Sequence, residues 1–217
     1  MLLRTIILSL LLSSNFAFAH TTVSAAGAGT NLSAAGTGSS GTGSGQAPAA
    51  AVVVAGNTNP IVINDNAAAA LYPSIATISG VTASITRVRV QLTGLTHTFP
   101  DDLDIILEGP QGQRAMLMSD AGGGTDVSGI NLTFDPTAAT VLPDTSPPAL
   151  TTATFRPANY GLNSTVFTDT FPAPFPALNV LDDAPADLNV FNLTNPNGHW
   201  KLYVVDDAGG DFGSIAG

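Results

Sequence analysis

Hydrophobic and polar residues alternate with a period of two in several short runs from about Ala51 onward. Val88, Val90 and Leu92 fall on one side of such a run, with Arg87, Arg89 and Gln91 on the other. Leu103, Ile105 and Leu107 share a face, as do Ile130, Leu132 and Phe134, and then Trp200, Leu202 and Val204. Successive side chains of a strand leave on opposite faces, so this spacing predicts half-buried β-strands. Between the runs stand turn signals such as Glu108-Gly109-Pro110-Gln111-Gly112 and Asn195-Pro196-Asn197-Gly198. No segment keeps a 3.6-residue apolar period over three turns, and the alanines at 67–70 amount to one turn at best. Short alternating strands joined by Gly/Pro turns predict an all-β fold, an antiparallel two-sheet sandwich with a jelly-roll-like course.

Two stretches break the pattern. Residues 20–50 are nearly all Ala, Gly, Ser and Thr, with too little apolar side-chain area to offset the entropy of ordering them. They are read as a low-complexity linker, with the sandwich spanning 51–217. Residues 141–177 form a long proline-rich excursion that includes Phe171-Pro172-Ala173-Pro174-Phe175-Pro176. A stretch of that length without regular structure points to function or disorder.

The first nineteen residues read as a secretory signal. Arg4 supplies the positive end, the run from Ile6 to Leu12 the apolar segment, and Ala17-Phe18-Ala19 the small-x-small cleavage pattern. A membrane-spanning helix needs about 20 apolar residues, more than this run offers. The mature chain is expected to begin at His20 and to be secreted or otherwise extracytoplasmic, at a cell surface or in a periplasm.

Charge is sparse and one-sided, with Lys+Arg 6 against Asp+Glu 16 and a net charge of -10. Such a surface repels phosphate backbones, which disfavours nucleic acid as a partner. Glu108 is the only Glu, so the acidity is carried by Asp, a residue suited to turns and to oxygen-ligand cation sites. There is no Cys, which excludes disulfides, thiolate catalysis and Cys-based zinc sites. An exported fold without disulfides rests on its core, on bound ions, or on both.

Three segments together resemble the P domain (P/Homo B domain) that follows the catalytic domain of subtilisin-like proprotein convertases and occurs in secreted bacterial proteins. The first is His97-Thr98-Phe99-Pro100-Asp101-Asp102-Leu103-Asp104-Ile105, running on to Leu107-Glu108-Gly109-Pro110-Gln111-Gly112. The second is Asn197-Gly198-His199-Trp200-Lys201-Leu202-Tyr203-Val204-Val205-Asp206. The third is Asp207-Ala208-Gly209-Gly210-Asp211-Phe212-Gly213, similar to the family's final acidic turn. The resemblance spans roughly 61–217. It departs from the family at Gln113, where a Thr is common, and in lacking a last strand after the acidic turn. It implies a non-catalytic module that binds Ca²⁺ and supports or binds another protein.

The acidic clusters carry the candidate chemistry: Asp101, Asp102 and Asp104 around one strand start, and Asp206, Asp207 and Asp211 around a Gly-Gly turn. Asp102 and Asp104 are two apart, so a strand would send both to one face. Ca²⁺ takes six to eight oxygens from carboxylates, carbonyls and water, which two converging loops can supply. Capping of turns by the same Asp residues is the plainer alternative. Asp144, in the proline-rich excursion, is expected to lie far from this cluster. A lone His97 at a strand edge reads as a hydrogen-bonded structural residue before a ligand or base, and Trp200 as core before a ligand platform.

No catalytic constellation emerges. A Gly-x-Ser-x-Gly elbow is missing, and Asp144-Thr145-Ser146 matches the aspartic-protease triplet only once, with Pro147-Pro148 behind it. The leading function is therefore a secreted, non-catalytic, calcium-binding module acting in binding, stabilisation or surface interaction. Two alternatives remain: a component of a secreted subtilisin-like protease system, and a structural subunit of an extracellular assembly.

Overall fold

The computed structural model describes residues 19–25, 51–160, 170–176 and 184–217. All but the last residue of the expected signal 1–19, and most of the expected linker, 26–50, lie outside them. The regular structure of the described residues is nearly all strand, arranged as two packed sheets, so the all-β sandwich read from the alternation is the fold the chain adopts. Eleven strands are described: β1 (Ala19–Ala25), β2 (Ala51–Asn57), β3 (Ile61–Ile63), β4 (Ser74–Ile78), β5 (Ile85–His97), β6 (Leu103–Glu108), β7 (Arg114–Met118), β8 (Val127–Phe134), β9 (Ala153–Phe155), β10 (Gly198–Asp206) and β11 (Gly213–Ile215).

The long β5 is the spine of a seven-stranded sheet. One edge of it pairs with β1 near its start and with β11 near its end; the other pairs with β8. Outside these lie β2, β3 and the short parallel β9. The second sheet is antiparallel with strand order β4-β10-β6-β7. Val88, Val90, Leu92, Leu103, Ile105, Leu107, Leu132, Phe134, Trp200, Leu202 and Val204 are all buried between the sheets, as their alternation predicts. Each fully buried side chain of this size contributes about 1.5–3 kcal/mol through loss of apolar surface to water. The outward face of β5 carries Arg87 and Arg89, which converge on one oxygen of the buried Asp135 at 3.0 and 2.9 Å.

The structure departs from the sequence reading at three places. Ala19–Ala25 form a strand seated between β2 and β5, with Val23 opposite both Val53 and Val88, so the linker does not begin at residue 20. The acidic turn is followed by a strand: β11 enters the large sheet between β3 and β5. The strand β6 is buried along its whole length rather than on one face. Its outer side, with Ile106, lies under a second small core made with Met116, Tyr203, Ala184 and Phe175. The proline-rich excursion provides that cover, and it also holds β9.

Trp200 sits at the centre of the main core, 1 % exposed, with its indole N–H donating to the Pro196 carbonyl at 2.9 Å and its ring 5.1 Å from that of Phe191. Trp200→Ala is expected to lower unfolding free energy by about 3–5 kcal/mol in a urea titration. A loss below about 1 kcal/mol would show that the two sheets close over the gap.

Candidate functional site

One end of the sandwich gathers the acidic loops. A 3-10 turn over Pro100–Asp102 leads into β6, and β10 ends at Asp206, the residue paired with Leu103. The Asp207 amide donates to the Asp102 carbonyl at 3.1 Å, which locks the two acidic segments side by side. Asp102 thus belongs to a turn and not to the strand. The reading that Asp102 and Asp104 leave on one face is corrected accordingly: Asp104 is buried in β6, opposite Val205.

At the root of this end lies a buried pair. His97 and Asp206 are both fully buried, and the ring Nε2 stands 3.1 Å from Asp206 Oδ2. The other ring nitrogen, Nδ1, is 2.9 Å from the Phe99 carbonyl. Asp206 Oδ1 accepts from the amides of Asn66 and Ala208, each at 3.2 Å. Burial pushes the Asp206 carboxyl above the usual range, against the lowering effect of these amides and of His97. The pair clamps the loop before β4 to the turn after β10. A neighbouring bond adds to it: the Gly210 amide donates to Asp65 Oδ1 at 2.8 Å. Gly213 is required here, because a Cβ on it would stand 2.5 Å from the His97 ring.

Around this root the carboxylates crowd. Asp102 is pushed up to about 7, first by burial and then by the charges of Asp206, Asp211, Asp207 and Asp101. Asp101 is raised as well, by burial and by Asp144, although the Gly123 amide donates to its Oδ1 at 3.2 Å. Asp144 is therefore not remote, as its place in the proline-rich excursion had implied: the Gly122 amide donates to the Pro143 carbonyl at 2.8 Å, which brings the Asp144 charge to bear on Asp101. Of the six candidates, Asp102, Asp206, Asp207 and Asp211 form one electrostatic group, Asp101 looks toward Gly123 and Asp144, and Asp104 is a β6 residue packed against β10.

Ca²⁺ fits this group in part. Asp206 lends charge, but both of its oxygens are already engaged in hydrogen bonds, Oδ1 with the Asn66 and Ala208 amides and Oδ2 with His97. Among the described residues no three His, Asp or Glu side chains are grouped so as to hold a metal ion. A cation here would rest on at most two carboxylates, Asp102 and one of Asp207 or Asp211, and take the rest of its shell from main-chain carbonyls and water. The buried His97–Asp206 pair and the Asp65-Asn66 loop had no signal in the sequence beyond their residue types.

The raised Asp102 carboxyl fixes the sign of a pH effect. Its folded value lies above the unfolded one, so its stabilising contribution is complete below about pH 4 and lost as pH rises through 7. Asp102→Asn is expected to raise stability at pH 8 in chelator, by about 0.5–1 kcal/mol after solvent screening, and to change nothing at pH 4. Equal effects at both pH values, read from urea titrations, would remove the repulsion.

No family model, curated protein or solved structure matches the chain.

Proposed function

We propose that the chain is an exported, non-catalytic β-sandwich module that acts in binding, stabilisation or surface interaction and is supported at its acidic end by Ca²⁺. The observation that carries this reading is the locking of the Asp102 turn against the end of β10, with Asp206 opposite Leu103 and the Asp207 amide on the Asp102 carbonyl at 3.1 Å, which brings the charges of Asp206, Asp207 and Asp211 to bear on Asp102. A divalent cation turns that repulsion into attraction, and Ca²⁺ suits a mixed shell of carboxylate, carbonyl and water better than Mg²⁺ does. Export is supported by the apolar run Ile6–Leu12 and the small-x-small pattern Ala17-Phe18-Ala19. Cleavage after Ala19 leaves His20 to Ala25 of β1 intact, with His20 opposite Gln91. Among the described residues no helix is long and apolar enough to cross a membrane.

A second reading, a structural subunit, is favoured by β2. It lies at an edge of the larger sheet and exposes Val52 and Val54. Apolar edge strands recruit further strands. Protein that sediments as a polymer with β2 intact, and as a monomer with Val52→Lys and Val54→Lys, would favour it over the module.

The calcium reading has a direct check. Ca²⁺ is expected to raise the melting temperature, with a stabilisation of about 2.7 kcal/mol at a hundredfold excess over its dissociation constant. Asp102→Asn and Asp211→Asn should shrink that response. Asp187→Asn should not, because Asp187 caps the distant turn Leu188–Phe191 through the Asn189 amide at 2.9 Å. Superimposed melting curves in calcium and in chelator would leave the Asp residues as turn caps only. A mature protein that retains Met1 on N-terminal sequencing would remove export.

A further inference from the structure

The outer face of the larger sheet carries more positive charge than its own partners neutralise. Arg87 and Arg89 share Asp135, and the Arg87 guanidinium also donates to Thr137 Oγ1 at 3.2 Å. Arg156 donates to the carbonyls of Ala138 and Ala139 at 2.8 and 3.2 Å. One turn, 135–139, thus gathers these arginines around a single carboxylate. The second oxygen of that carboxylate is taken by the Thr137 amide and hydroxyl. Exposed apolar surface adjoins the arginines. Val52 and Val54 stand level with Arg87 and Arg89 across β1, through Ser24 and Thr22, and both valines are more than half exposed. Two strand spacings, about 10 Å, separate each valine from its arginine.

The charges of the molecule are sorted by end. Beyond Arg4, its Lys and Arg residues are Arg87, Arg89, Arg114, Arg156 and Lys201. Arg114 and Lys201 are committed to Glu108, where β6 finishes. Among the described residues no Lys or Arg lies at the other end, where β5 finishes and β6 begins. There Asp65, Asp126, Asp144 and Asp207 are exposed, with Asp102 and Asp211 beside them. Arg87 and His97 stand near opposite ends of β5, so about 30 Å of strand separates the arginine turn from the acidic end. That end has exposed apolar side chains of its own, Phe99 and Phe212. The Phe212 amide donates to Thr98 Oγ1 at 3.3 Å, which brings the two segments together.

We propose that the arginine face docks the acidic end of a second copy of this chain, head to tail. The match is of sign and of apolar area at once: arginines beside Val52 and Val54 meet carboxylates beside Phe99 and Phe212. The two surfaces differ and lie far apart, so the contact is heterologous and builds rings or open chains of copies. The net charge of -10 opposes association. At physiological salt, however, the Debye length is about 8 Å, so copies in contact feel the facing groups rather than the whole charge. This gives the structural-subunit reading a definite contact, made by a sheet face and not by the edge of β2. It rests on that reading and not on the cation.

The test is sedimentation of the exported chain in chelator over a range of concentrations. Association is expected at physiological salt and should weaken about tenfold or more at about 1 M salt, where the Debye length falls to about 3 Å. Val54→Glu should abolish it and Val54→Lys should keep it, whereas a strand-edge contact through β2 is lost with either. Arg87→Glu should leave monomers, and so should Asp207→Lys with Asp211→Lys. An equimolar mixture of those two proteins should give a dimer that grows no further, since each supplies the surface that the other lacks. If Arg87→Glu does not fold, Val54→Glu takes its place in the mixture. Association that is indifferent to salt, or lost with both Val54 variants, would overturn the proposal and keep the structural subunit. A monomer at every concentration would remove both. A monomer that binds heparin through Arg87 would assign the face to an anionic polysaccharide and overturn the proposal as well.

Discussion

The fold and its acidic end both hang on the buried contact between His97 and Asp206. One residue closes β5 in the larger sheet and the other closes β10 in the smaller, so the contact ties the sheets together at one rim. Removing either partner would leave a buried polar group without its hydrogen bond, a loss of about 1–3 kcal/mol. The same contact places the turn after β10 beside Asp102. The crowding of carboxylates is thus a consequence of how the sandwich is closed, not an independent feature of the loops.

The regular parts of the fold were legible because their physics is local. Val88, Val90 and Leu92 announce an inward face by spacing alone, and the structure keeps all three buried. His97 was not legible in that way. Counting by twos from Arg87, Arg89 and Gln91 puts it on the outer face. The structure turns it inward through a register shift between Leu92 and Leu95, where Gly94 takes φ +66 against Ala216. A Gly inside a strand pattern is the one available sign of such a bulge. Asp102 escaped for a related reason, since a three-residue 3-10 turn has no periodic signature and shifts every face assignment that crosses it.

Long-range partners were hidden altogether. That β6 is buried on both faces depends on Phe175, about 70 residues away in sequence, and nothing near β6 encodes it. The N-terminal strand was obscured by composition, because His20 to Ser24 read as part of the small-residue tract that follows. Its strand state is a gift of its neighbours β2 and β5. Such tertiary override is common for strands, whose propensity depends on what they pack against.

The pairing of β1 with β2 has a consequence for how the chain tolerates change. Ala25 and Ala51 are direct partners across the two strands, so the chain between them leaves and returns at a single point on the rim. Closing such a ring costs entropy that grows only with the logarithm of its length, about 0.6 kcal/mol per doubling. Changes in the length of that tract are therefore expected to cost the sandwich little, and changes at its two ends more. The tract has room to take up a whole foreign domain while the paired strands on either side stay as they are.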